Sequence, residues 1–427
     1  MKLIYVVIDG MGDLPIKELQ NKTPLEAAET PNMDFLAETG KTGLMYPVKK
    51  GIAPESDVAV LSILGYDPFK YKARRGPLEA YGADLTITDG DLALRCNFAT
   101  LGEGKKIVDR RAGRDITTEE ATKLSETINK KVKLESYPAN FEFKNTTVHR
   151  AALVIRSERR PLSGEITNTD PAYSRVEGLG VARTDVKMIL EKCKPLDETE
   201  EAKMSAKLVN EFVRNSHTVL KDHEINKKRV KEGKLSANLI LTRDAGSSLP
   251  KLFKIRKKYN VSFACVADMP IERGIAKAAS LKLIDIPPPT GNMRKDYTLR
   301  TKKLLDHLPC FDCFYMHIKG PDEPGHDGKP HLKKQLIAGV DEFFFGKLLP
   351  EIDLESSILC VTADHSTPCK LKTHSDDPVP LLITGNKIKG DAVRRFSEKD
   401  CKRGSLGILK RGTELMPKLV GFLKYGE

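Results

Sequence analysis

Tryptophan is absent from the 427 residues, and aromatics of all kinds make up only 6% of them. The basic residues are spread along the chain with no stripe interleaved with aromatics. The formal net charge of +12, from 71 Lys and Arg against 59 Asp and Glu, therefore points to anionic substrates ahead of nucleic acid. Also missing is any apolar run of the ~18 residues needed to cross a bilayer, so no membrane role is expected. Neither an internal repeat nor a low-complexity tract is present. Cysteine is sparse in pattern: the eight, at 96, 193, 265, 310, 313, 360, 369 and 401, are too scattered for a disulfide framework. Cys310 and Cys313 form a lone C-x-x-C without a second pair or a βαβ context, which reads as thiols buried beside a strand.

What is there is an ordinary globular composition, 40% hydrophobic and 30% charged, in a chain long enough for two domains. The apolar start over residues 1–8 is short and meets Asp9 instead of a small-residue cleavage site, so the expected location is cytoplasmic. Residues 3–8 form a continuous β-branched run, the pattern of a central parallel strand. The glycines that follow it, Gly10 and Gly12, do not make a dinucleotide loop, because Pro15 stands where the third glycine of that fingerprint belongs.

The most informative stretch is residues 357–365, a short apolar strand ending in Asp364 and His365, with His374 nine residues on. Carboxylate and imidazole there are either metal ligands at the carboxyl end of a strand or a capped turn. Asp9 ends the first strand in the same way, and it too could cap a turn. Ser56 opens an apolar helix after the turn 51–55, as an N-cap or as a nucleophile activated by a metal. Asp322 and His326 follow the apolar run 314–318, and the intervening Pro324 and Gly325 predict an irregular turn over a helical i, i+4 pair. From about 80 to 235 short strands and helices alternate, closing in a single long charged helix over 198–232. Within that region Arg110, Arg111, Arg114, His149 and Arg150 are dense enough to clamp a carboxylate or phosphate, or to be a solvated loop. Apolar strands resume at 238–242, ending in Arg243, and are expected to return the chain to a parallel sheet.

Taken together, Asp9, Ser56, the Asp322 and His326 pair, and Asp364, His365 and His374 can meet at one edge of one sheet. They would supply ligands for two metal ions and one hydroxyl, the equipment for in-line displacement at phosphorus or sulfur.

With these motifs in view, the sequence resembles the archaeal-type, cofactor-independent phosphoglycerate mutases of the alkaline phosphatase superfamily. The likeness is carried by residues 7–13, by 54–57 with 61–68, by 97–100 and 109–114, and by 322–328, 362–367 and 374–380. It implies an α/β fold with a mostly parallel sheet sandwiched by helices, over 1–79 and 236–427, and a smaller α+β substrate-binding domain inserted over 80–235. It implies interconversion of 3-phosphoglycerate and 2-phosphoglycerate through phosphorylated Ser56, as an isomerase of glycolysis and gluconeogenesis needing no 2,3-bisphosphoglycerate. Asp9, Ser56, Asp364 and His365 would gather around one metal, and Asp322, His326 and His374 around the other. Arg110, Arg111, Arg114, His149, Arg150 and Arg243 become candidates for the substrate carboxylate, and Lys319 for its phosphate. Mn²⁺ or Zn²⁺ suits such ligands, Co²⁺ follows, and Mg²⁺ fits less well. Glu55 departs from the family, which usually has glycine before the nucleophile. A metal-dependent phosphomonoesterase or sulfatase-like hydrolase of the same superfamily remains the alternative, and a basic scaffold or nucleic-acid binder the third reading. The oligomeric state is not legible.

Overall fold

The computed structural model describes residues 1–425 except 177–178, 184–185 and 386–387. The chain divides into two compact units, Met1–Tyr71 with Leu252–Asp268 and Ile275–Glu427, and Lys72–Lys251 with Met269–Gly274. The second is wider at both ends than the 80–235 expected from sequence.

In the first unit, eight strands form one sheet in the order Lys282–Leu283, Phe263–Val266, Cys313–Ile318, Lys2–Ile8, Ser357–Thr362, Val379–Gly385, Lys41–Met45 and Gly407–Leu409. Val379–Gly385 runs antiparallel to both of its neighbours, and every other pairing is parallel. Lys2–Ile8 lies between Cys313–Ile318 and Ser357–Thr362, and its residues from Leu3 to Ile8 are all buried. A strand covered on both faces needs an unbroken apolar run, and this one has it. The helices around the sheet bury single stripes: Leu415, Leu419 and Phe422 recur every three to four residues along Leu415–Tyr425.

The second unit is built on an antiparallel sheet. Leu92–Leu101 pairs with Arg150–Ser157, Ile107–Asp109 and Leu239–Gly246, and Ala139–Asn145 pairs with Arg150–Ser157. Helices Thr118–Lys131 and Glu200–Leu220 bury Leu124, Ile128, Leu208, Val209 and Phe212 in one cluster with Leu94, Phe98 and Leu153 of the sheet.

Two expectations are corrected here. The strand beginning at 238 is not the return of the parallel sheet; as Leu239–Gly246 it is the antiparallel neighbour of Leu92–Leu101. A short apolar run declares burial, not its partner. The long helix over 198–232 is two, Glu200–Leu220 and Glu224–Lys231. His223 between them is extended (φ −67°, ψ 139°), and its side chain accepts the Ile225 N–H, so a polar cap restarts the helix there. Among the described residues, no helix is long and apolar enough to cross a membrane.

Candidate active site

Strand register brings the first side chains together. Val7 pairs with His317 on one side and Thr362 on the other, and Ile8 pairs with Ile318. Asp9, Lys319 and Asp364 therefore leave their strands at one level, two residues beyond Val7, His317 and Thr362. The backbone then turns tightly at Gly10 (φ +59°), where a Cβ would lie 2.7 Å from Cβ of Asp322. With no side chain to accommodate, Gly10 N–H donates to Asp364 Oδ1 at 3.0 Å.

Two clusters result. Asp9, His317 and Asp364 form one; Asp322, His365 and His374 form the other; within each, the ligand atoms lie within 4.8 Å of one another. His365 Nε2 also reaches the first cluster, 3.5 Å from Asp9 Oδ1 and 3.3 Å from Asp364 Oδ2. His317 Nε2 stands 3.9 and 3.7 Å from the same two oxygens. In the second cluster Asp322 Oδ1 is 3.5 Å from Nε2 of both His326 and His374. The His365 and His374 rings stack with centroids 3.7 Å apart.

Ser56 is the first residue of helix Ser56–Ile63, and Glu55, not Ser56, occupies the N-cap. The Ser56 hydroxyl is thus released from capping and lies 3.2 Å from His365 Nε2. Glu55 turns toward the site, its Oε1 3.9 Å from His374 Nδ1, while that nitrogen is 2.8 Å from the Pro54 carbonyl oxygen. Asp322 and His326 sit on one helix, Asp322–Asp327, against the irregular turn expected of Pro324. Pro324 is its third residue, where backbone N–H groups lack intrahelical partners, so the missing donor costs nothing.

The electrostatics split the three carboxylates, with Asp364 pushed up and Asp9 and Asp322 held down. Burial, then the charge of Asp9, pushes the Asp364 carboxyl up to about 7 despite His317 and Lys319. Burial also opposes ionisation of Asp9, but Lys319, with Nζ 3.1 Å from Oδ2, and the two histidines outweigh it and hold Asp9 well below the usual range. Burial and the Asp9 charge oppose ionisation of Asp322, yet His374 and His365 prevail and lower it. Burial, then His374, lowers the His365 ring to about 3. Asp9 Oδ1 and Asp364 Oδ2 are buried and accept no hydrogen bond. Clustered carboxylate oxygens without donors, beside imidazole nitrogens and with no thiolate, fit divalent cations.

The arginine candidates lie in the second unit. Arg110 is bidentate on Asp170, Nε to Oδ1 at 2.7 Å and Nη2 to Oδ2 at 2.6 Å, and Arg243 reaches the same carboxylate at 2.7 Å. Both guanidinium groups lie over the Tyr173 ring, at 5.0 and 4.4 Å. Arg111, partly buried, has its basicity lowered by burial and by Arg114. Burial, then Arg150, Arg111, Arg243 and Arg95, drives buried His149 down to about 2. The organising carboxylate Asp170 was not singled out in the sequence, nor was His317. The signal for His317 was its spacing of two from Lys319 on an apolar strand, which puts both on one face.

A mostly parallel α/β sheet carrying a serine among paired carboxylate and imidazole clusters defines a class of protein suited to group transfer at an anionic centre. Residues 37–226 match the model of a family described as 2,3-bisphosphoglycerate-independent phosphoglycerate mutase. A protein of that name from Aeropyrum pernix is 39% identical over 99% of this chain and 100% of its own length, and one from Pyrococcus abyssi is 40% identical over 100% and 98%. A Pyrococcus horikoshii protein of known structure aligns with TM-score 0.79 at 33% identity, covering 100% of this chain and 98% of that one. A cofactor-independent phosphoglycerate mutase from Thermoplasma acidophilum aligns with TM-score 0.63 at 32% identity, covering 99% and 100%. The chain belongs to the family of 2,3-bisphosphoglycerate-independent phosphoglycerate mutases.

Proposed function

We propose that this chain interconverts 3-phosphoglycerate and 2-phosphoglycerate through a phosphoserine at Ser56, without 2,3-bisphosphoglycerate. The observation that carries this reading is the Ser56 hydroxyl, 3.2 Å from His365 Nε2 and beside both ligand clusters, in a chain of that family. Asp9, Asp364 and His365, with Ser56, are assigned to one divalent cation, and Asp322, His326 and His374 to the other. Mn²⁺ or Zn²⁺ suits this donor set best, with Co²⁺ next. Cations bound there would lower the pKa of the Ser56 hydroxyl and neutralise phosphoryl oxygens.

Ser56 Oγ gives up its proton and attacks phosphorus as the bond to the glycerate oxygen breaks; that oxygen takes up a proton, and the phosphoryl group rests on the serine. The other glycerate hydroxyl then gives up a proton and attacks the phosphoserine, and the bond from phosphorus to Ser56 Oγ breaks as Oγ takes a proton back. The place of Ser56 at the start of helix Ser56–Ile63 turns the positive end of the helix dipole toward the phosphoryl oxygens. Lys319 Nζ, beside Asp9, offers a further positive charge. The second unit is assigned to substrate binding, with Arg111, Arg114, His149 and Arg150 as candidates for the carboxylate. Arg110 and Arg243, which share Asp170, are assigned to shaping that surface. The substrate is a small phosphorylated anion, and the protein is placed in the cytoplasm.

The test is conversion of 3-phosphoglycerate coupled to enolase without 2,3-bisphosphoglycerate, before and after EDTA and with Mn²⁺ restored, with free phosphate measured in the same tubes. Wild type is expected to isomerise only with metal, and Ser56→Ala to lose on the order of 10³-fold or more in kcat. Free phosphate without isomerisation would make the protein a hydrolase instead.

A further inference from the structure

We propose that Thr367 is a positioning residue that holds one ligand of each proposed cation, His365 and Asp322, through one hydroxyl and sets the tautomer of His365. The inference rests on the two-cation reading above. Thr367 is fully buried, and every polar atom it owns is engaged. Its N–H donates to the Gly12 carbonyl at 3.0 Å, and its own carbonyl accepts from Lys333 Nζ at 2.9 Å. Its Oγ1 lies 2.7 Å from Asp322 Oδ1 and 3.0 Å from His365 Nδ1. Two glycines press on it. A Cβ on Gly325 would come within 2.4 Å of the Thr367 carbonyl oxygen, and one on Gly10 within 2.7 Å of Oγ1. A β-branched side chain is stiff at χ1. Held this closely, the hydroxyl has one place to be.

A hydroxyl carries one proton, and an ionised carboxylate only accepts. The Thr367 proton therefore goes to Asp322, and His365 must donate its Nδ1–H to Thr367 Oγ1. In the neutral ring the lone pair then sits on Nε2, the nitrogen 3.2 Å from Ser56 Oγ. It is also the nitrogen facing Asp9 and Asp364, at 3.5 and 3.3 Å. The other tautomer would aim an N–H into that space and remove a ligand. The same hydroxyl restrains Asp322, which lies with His374. One side chain thus presets a ligand assigned to each cation, His365 for one and Asp322 for the other, and ordering either ligand orders the other.

Two measurements on the full chain test this. In ¹⁵N-histidine-labelled protein stripped with EDTA, long-range ¹H–¹⁵N correlations should show His365 as the Nδ1–H tautomer. In Mn²⁺ titrations followed by equilibrium dialysis, Thr367→Val should bind about 10–100-fold more weakly at both centres, the range for loss of a hydrogen bond that orients a ligand, and Thr367→Ser should stay close to wild type. An Nε2–H tautomer in the stripped wild type, or wild-type affinities in Thr367→Val, would overturn the proposal. Should the valine chain not fold, the wild-type tautomer decides by itself. A wild type that takes up no Mn²⁺ would sink the two-cation reading while leaving the tautomer result to stand separately.

Discussion

Glu55 puts a carboxylate where an anionic substrate has to arrive. Its Oε1 lies 3.9 Å from Nδ1 of His374, a ligand assigned to the second cation. Part of the positive charge facing a phosphoryl group is thereby offset by a side chain 3.9 Å away. Glu55 makes no side-chain capping bond, so glycine is tolerated at this N-cap for a few tenths of a kcal/mol. Glu55→Gly is expected to fold and to lower KM for 3-phosphoglycerate on the order of fivefold, the equivalent of about 1 kcal/mol for one charge in a partly solvated site. Initial rates in the enolase-coupled assay at fixed Mn²⁺ check this, and an unchanged or raised KM counts against it.

At the scale of elements, the site depends on loops that follow different strands staying in step. Helix Pro330–Val340 contributes Lys333, fully buried, whose Nζ donates at 2.9 Å each to the Gly12 carbonyl, Asp13 Oδ2 and the Thr367 carbonyl. An ammonium has three protons, and all are used. The clamp ties the loop carrying Asp9 to the loop carrying Asp364 and His365. Asp13 in turn accepts the Leu14 and Cys369 N–H groups, at 2.8 and 3.1 Å. Lys333→Met fills the space but leaves the Asp13 carboxylate buried without its cation, so a loss of about 3–5 kcal/mol is expected in urea unfolding of the metal-free chain. A loss below about 1 kcal/mol would mean the backbone amides alone hold the loops.

For the whole molecule, acid sensitivity follows from a buried histidine. His149 is 8% exposed, and its Nδ1 is buried without a hydrogen-bond partner. Burial and the surrounding arginines bring it to about 2, against an unfolded value of ~6.5. Below pH ~6.5 the unfolded chain takes up a proton that the folded chain refuses. The stability this site contributes is complete above that pH and is lost as pH falls toward the folded value, at about 1.4 kcal/mol per unit. Between pH ~6.5 and ~5 the loss amounts to about 2 kcal/mol. His149→Gln is expected to remove that share of the pH dependence, measured as the difference between urea-unfolding free energies at the two pH values. Identical pH dependence in both chains would place the acid sensitivity elsewhere.

By itself the sequence determined where buried strands had to run and where they had to stop. The stretches that became Lys2–Ile8, Cys313–Ile318 and Ser357–Thr362 are mostly apolar because both faces are covered, with His317 the polar residue inside the second, and each is followed by a charged residue of the site, Asp9, Lys319 and Asp364. Local pattern reaches that far because burial acts on each segment separately. Only the tertiary structure decided the neighbours. The register that sets Val7 between His317 and Thr362 made His317 part of the site, and the antiparallel pairing of Leu239–Gly246 put Arg243 beside Asp170. The approach of Glu55 to His374, and of Lys333 to Asp13, joins residues about 320 positions apart. Pairing energy comes from partners that close large loops, and periodicity within a segment carries no information about which distant segment supplies them.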